Sequence, residues 1–246
     1  MSNSRPATGG GRMISVPPER VVRWLNGFIG RHGASTVEQS LDGITLTAAD
    51  GAVAACALPL GERFEDEVEP ENLVETFMER AEAEHLVAVL VVRKGAFAMG
   101  VFQGAKLLAS KVDTSYVQGR TAAGGWSQQR YARRREKQAK QALKKATDAA
   151  ARVLVPYLGE IESVVAAGDR RTVADALADK RLVALRHKMV PLVMDVGEPR
   201  LATLKDTPRQ FRAVQIHLTE PEPEPGDEAH EADATPQSTQ DRPDLG

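Results

Sequence analysis

At 246 residues, 42% apolar and 27% charged, the chain has the balance of a globular protein, and its longest apolar run, Leu86–Val92, is too short to span a membrane. One cysteine, Cys56, excludes an internal disulfide framework or a multi-cysteine zinc site, and the polar N-terminus lacks a signal peptide's apolar core, so a cytoplasmic protein is expected. The formal charge of −2 conceals an asymmetry: residues 220–246 hold nine acids and one arginine, net −8, which leaves +6 on residues 1–219.

Residues 1–12 are polar, glycine-rich and aperiodic and read as a disordered arm. Pro17, Pro18 and Glu19 open a helix in which Val21, Val22, Leu25, Phe28 and Ile29 recur at helical spacing, ending at Gly30 or Gly33. Three strand-like segments follow, at 35–41, 44–47 and 52–58, divided by Asp42-Gly43 and Asp50-Gly51, the dipeptides that favour hairpin turns. With the charged connector after them they make a small αβββ unit over residues 13–67.

A second helix is predicted from about Pro70 to Glu84, with Leu73, Phe77 and Ala81 on one face. The continuous apolar run after His85 predicts a central strand covered on both faces. Two further strands should follow, turned at Lys94-Gly95 and Gly104, and then a long helix over 128–155 stopped by Pro156. Beyond it a strand at 161–166, a helix at 172–185 and strands at 192–196 and 213–218 complete an α/β (α+β) layered domain over 68–219. The proline- and acid-rich stretch 220–246 cannot bury enough apolar surface to offset its ordering entropy and reads as a disordered tail, either solubilising or folded back on the basic helix.

The long helix carries the densest charge. Residues 130–145 hold eight cations, Arg130, Arg133, Arg134, Arg135, Lys137, Lys140, Lys144 and Lys145, against the single acid Glu136. Arg133, Lys137, Lys140 and Lys144 share one face, and the apolar stripe Ala139, Ala142, Ala146, Ala149 and Val153 begins only in the second half. The first turns therefore project outward. A solvated surface helix normally mixes both signs, because like charges at (i, i+4) cost stability, so a polyanion is the expected counterpart, gripped through phosphates. Immediately before the helix stand Gly124, Gly125, Trp126, Ser127, Gln128 and Gln129. On its own this stretch reads as a capped loop with Ser127 as N-cap.

The usual catalytic sets are missing. The loop lacks the final glycine of a nucleophile elbow, no phosphate- or dinucleotide-binding glycine motif follows a strand, and His32, His85, His187, His217 and His230 are scattered as surface or strand-end histidines rather than paired as metal ligands. No metal or cofactor is expected.

The stretch from Phe97 through the Gly-Gly-Trp-Ser-Gln-Gln loop into the arginine-rich helix resembles the Vms/ANKZF-type release-factor domain, related to the catalytic domain of eukaryotic and archaeal class I release factors, and specifically the shorter actinobacterial branch of that group. The resemblance covers about residues 68–219 and is specific over roughly 95–145. It implies a mixed-sheet catalytic domain acting as a peptidyl-tRNA hydrolase that releases nascent chains from stalled ribosomes or large subunits, without a cofactor. Gly125, Ser127 and Gln128 match the family's glycine-serine-glutamine loop, with Gly124 before it and Trp126 where eukaryotic members have glycine; either Gln128 or Gln129 is the working amide. A glutamine does not take up a proton near neutral pH, but it can aim a water at an ester carbonyl and stabilise developing charge. The alternatives are a non-catalytic ribosome- or RNA-binding factor, a nuclease of the tRNA 3′ end, and a helix that binds an acidic protein.

Overall fold

The computed structural model describes residues 3–7, 10–93, 96–114 and 127–221. It is a mixed α+β fold built on two sheets. The first element is already a departure from expectation: β1 (Asn3–Pro6), placed by sequence in a disordered arm, pairs antiparallel with β2 (Arg12–Val16). A short 3-10 turn at Pro18–Arg20 leads into α1 (Val21–His32), which Gly33 ends at φ +85°. Next come β3 (Ser35–Ser40), β4 (Gly43–Ala48) and β5 (Val53–Ala57), joined as antiparallel hairpins. In the second hairpin the Asp50 carboxylate accepts from the Ala52 N–H at 2.9 Å, and Gly51 takes the left-handed conformation the turn needs.

After the connector, α2 (Leu73–Glu82) starts three residues later than its proline signal suggested. Then β6 (Leu86–Arg93), β7 (Ala96–Gln103) and β8 (Lys106–Thr114) form an antiparallel meander, and α3 (Ser127–Leu154) follows. β9 (Ser163–Gly168) pairs parallel with β6, giving a mixed sheet of order β8-β7-β6-β9. The helix expected over 172–185 is shorter, α4 (Arg170–Leu177), capped by the Asp169 carboxylate and followed by a separate 3-10 turn at Val183–Lys188. Two short helices, α5 (Leu201–Asp206) and α6 (Pro208–Phe211), precede the last strand, β10 (Val214–Thr219).

The course of β10 is the main finding about organisation. Grouped by sequence with residues 68–219, it instead runs back between β2 and β5, so the first sheet has the order β1-β2-β10-β5-β4-β3. Its inward residues Val214, Ile216 and Leu218 join Ile14, Val16, Ile44, Leu46 and Cys56 beneath α1 and α2. Burial pushes the Cys56 thiol up to about 12, which keeps it protonated.

β6 shows why its sequence is apolar throughout. Leu86, Ala88, Leu90 and Val92 pack against the α3 and α4 layer, whereas Val87, Val89 and Val91 pack towards α5 and α6 on the opposite face. The segment 192–196, expected as a strand, is irregular. Its alternation is real, with Met194 buried and Leu192 and Val196 half-buried against that second face. In place of a ladder partner, the Gln210 side-chain amide accepts from the Asp195 N–H at 2.9 Å and donates to its carbonyl at 2.7 Å. Period two reports a buried face, not a paired edge. Among the described residues, no helix is long and apolar enough to cross a membrane.

The two layers are joined by Leu60, by Phe211 packed edge-on against Phe102, and by His85. The His85 ring donates from Nε2 to Glu62 Oε1 and from Nδ1 to Glu162 Oε2, both at 2.7 Å. The hydrogen bond to Glu62, with Glu162 adding to it against the cost of burial, pushes its pKa up to about 9. Burial alone would raise Glu162, but the Leu86 N–H and His85 outweigh it and hold that carboxyl below its ordinary value. A raised histidine contributes stability in full below its ordinary value of 6.5 and loses it as pH rises through about 9, while Glu162 loses its share at acid pH. The gap in melting temperature between wild type and His85→Ala is therefore expected to be widest near pH 6 and to narrow by pH 10 in paired thermal melts. A gap that stays constant over that range would mean the imidazolium contributes nothing.

Candidate nucleic-acid interface

α3 divides into a rooted half and a free half. From Ala142 onward one face is buried: Ala142 is 8% exposed, and Ala146, Ala149, Ala150, Val153 and Leu154 join the core with β6 and β7. Between 133 and 141 every described side chain is exposed except half-buried Gln138. Ala139, assigned by spacing to the apolar stripe, is among the exposed ones, so the core contact starts one turn later than expected. At 1.5 Å per residue, the helix start lies about 22 Å along the axis from Ala142.

On this free half, Arg133, Lys137, Lys140 and Lys144 line a common surface together with Glu136 and Gln141. At about 100° per residue the four cations fall within an arc of about 60°, opposite Ala142, Ala146 and Ala149. Arg134 is exposed on another face; Arg130 and Arg135 also lie on α3, their side chains outside those described. The strip is partly countered. Glu136 pairs with Lys140 at 2.8 Å, and that hydrogen bond lowers the carboxyl below its ordinary value and raises the ammonium above its own. Such an exposed pair is weak and easily exchanged for a phosphate.

The root carries a second ion network that the sequence did not disclose. Asp148 accepts from Lys144 at 2.6 Å and from Arg181 at 2.9 Å, and Arg181 also pairs with Asp179 at 2.8 Å. These contacts tie α3 to the loop after α4 at the point where the helix leaves the body. Arg181 lies 33 residues from Asp148, beyond the reach of any local pattern.

The candidate loop divides at the helix start. Gly124, Gly125 and Trp126 lie outside the described residues. Ser127, expected as the N-cap, is itself the first helical residue, and Gln128, Gln129 and Arg130 follow in the first turn. Both candidate glutamines thus belong to the first turn of the projecting half, directly before the cationic strip in the chain. The first turn also presents backbone N–H groups without intrahelical partners and the positive end of the helix dipole. A cleft of about 960 Å³ lies elsewhere, between the first sheet and α5–α6. It mixes signs, and Arg212 and Arg209 in it are already paired with Glu19 and Asp206.

Comparison with known proteins gives the family context. The profile of the family described as Actinobacteria/chloroflexi VLRF1 release factor matches residues 85–217. The peptide chain release factor subunit 1 of Pyrococcus abyssi is 30% identical over 111 residues, which covers 44% of this chain and 27% of that relative. Among solved structures, an archaeal translation termination factor, aRF1, aligns at 16% identity and TM-score 0.38 over 78% of this chain and 61% of its own. The Vms1 mitochondrial localization core aligns at 14% identity and TM-score 0.39, covering 84% and 82%.

Proposed function

The chain belongs to the Actinobacteria/chloroflexi VLRF1 release factor family, and from that premise we propose that it is a cytoplasmic peptidyl-tRNA hydrolase that frees nascent chains from stalled ribosomes or large subunits. The observation that carries this reading is the geometry of α3: a four-cation strip on a helix rooted at Ala142, with Ser127, Gln128 and Gln129 at its outer tip. The strip grips the phosphates of ribosomal RNA and tRNA, and the tip, with Gly124 and Gly125 before it, enters the peptidyl-transferase centre. There Gln128 or Gln129 orients a water whose oxygen attacks the ester carbonyl. The bond to the tRNA 3′ oxygen breaks, and that oxygen leaves with a proton. The first-turn N–H groups of α3 suit the developing negative charge. RNA supplies the rest of the site, and no cofactor is required.

The test has two arms. Stalled peptidyl-tRNA on isolated large subunits is incubated with the protein, and the released tRNA is mapped at its 3′ terminus. An intact terminal adenosine with free peptide supports ester hydrolysis; a shortened end assigns the reaction to a phosphodiester instead, and no release leaves only an RNA-binding factor. In the second arm Arg133, Lys137, Lys140 and Lys144 are all replaced by Gln. Each phosphate contact contributes about 0.7–0.9 to the slope of log affinity against log salt, so the slope should shrink by about three. An unchanged slope would show that the strip does not meet phosphates.

A further inference from the structure

Away from α3, the free edge of the second sheet forms a groove that the proposed activity does not use. β9 is the edge strand, and α4 flanks it on one face while the segment 189–194 flanks it on the other. That segment begins as a partner: the Val190 N–H donates to the Val164 carbonyl at 2.9 Å. It then peels away at Pro191, which has no N–H to continue the ladder. Alternate residues of a strand turn their backbone groups to the same edge, so Ala166 directs its N–H and C=O outward beyond Val164. Among the described residues no backbone group pairs with them there. β9 ends at Gly168, whose φ of +90° and approach to the Val92 carbonyl leave no room for a Cβ.

The cavity so formed is about 400 Å³, walled by Val173 and Leu177 of α4 and by Val190, Leu192 and Met194. Its lining includes Arg170 and Arg186 but no carboxylate, and neither arginine is ion-paired among the described residues. Val193 and Met189, exposed to 62% and 38%, extend the apolar surface at its mouth. A strand edge left open at Ala166, apolar walls and two cations without an ion-pair partner among the described residues together describe a complementary ligand. We propose that this groove binds an extended peptide segment of a partner protein, apolar residues alternating with carboxylates, by strand addition to β9. The walls take the apolar side chains, Arg170 and Arg186 take the carboxylates, and the peptide backbone completes the rung at Ala166. The open backbone rung favours a peptide over a fatty acid, which has the carboxylate and the apolar body but no N–H or C=O to offer.

The test uses the full chain and a fluorescent, end-capped hexapeptide that alternates valine with glutamate, read by anisotropy. Saturable binding is expected, weakened about tenfold by Arg170→Glu combined with Arg186→Glu, two surface charge pairs inverted. The same double variant should gain affinity for the valine–lysine counterpart, which a misfolded protein would not do. Ala174→Trp, an exposed change at the groove wall, should also weaken binding while the melting temperature holds. N-methylation of the peptide along one edge should abolish binding. No saturable binding up to about 1 mM, equal binding of the N-methylated peptide, or displacement by an equal concentration of octanoate would overturn the proposal.

Discussion

Gln128→Ala is expected to lower the single-turnover rate of peptide release by about 10²–10³-fold, the scale on which a positioned amide stabilises an acyl-transfer transition state. Affinity for the large subunit should hold within about twofold, because the phosphate contacts proposed for Arg133, Lys137, Lys140 and Lys144 would lie further along the helix and be untouched. That split, rate lost and binding kept, marks an interaction realised only in the transition state. Gln129→Ala is the paired measurement. Residues at adjacent helical positions point about 100° apart, so in the proposed mechanism only one of the two amides would face the reacting ester. One substitution should therefore carry nearly the whole loss and the other little. Gln128→Glu should be as damaging as alanine, since a carboxylate offers no N–H and brings charge that repels the developing oxyanion. Release left intact by both alanine variants would remove glutamine from the mechanism and leave the protein's backbone and RNA to do the work.

Which features could be read from the chain beforehand depends on whether they are local. The β6 run was legible because residues 86–92 are buried on alternating faces, and burial on both sides leaves an unmistakable apolar stretch. The projecting half of α3 was legible for the converse reason: a helix with eight cations and no apolar stripe over its first turns has nothing to pack. Gly125, Ser127 and Gln128 were singled out through family resemblance rather than chemistry, since an amide and a serine before a helix are also an ordinary capped turn. What was illegible is long-range. β2 has only two inward residues, Ile14 and Val16, too few for a period, and β1 is recognisable only by its pairing with β2. Leu192, Met194 and Val196 alternate as a strand would, yet the chain meets them with a side-chain amide instead of a neighbouring strand. His85 and its two carboxylates come from three separate connecting segments, and no spacing announces them.

The return of β10 to the first sheet makes the strongest demand on stability. Val214, Ile216 and Leu218 are at most 1% exposed, and burying three such side chains contributes about 5–9 kcal/mol. That is comparable with the whole stability of a typical domain, about 5–15 kcal/mol. The strand also hydrogen-bonds on both sides, to β2 and to β5, so its loss would detach β1 and β2 as an isolated two-stranded ribbon, a marginal structure in water. A chain ending at Ala213 should therefore fail to fold cooperatively, whereas one ending at Pro221, lacking only the acidic stretch, should melt within a few degrees of full length. The point variant Ile216→Ala separates packing from chain length: it keeps both ladders and should cost about 2–5 kcal/mol, a clear fall in melting temperature with folding retained. The same logic applies to fragments. Residues 13–67 alone lack the strand between β2 and β5, and residues 68–219 alone would expose its apolar face, so neither piece should be soluble and cooperative by itself. If the chain ending at Ala213 melts like the full-length protein, β10 does not hold the first sheet together and the two layers are independent after all.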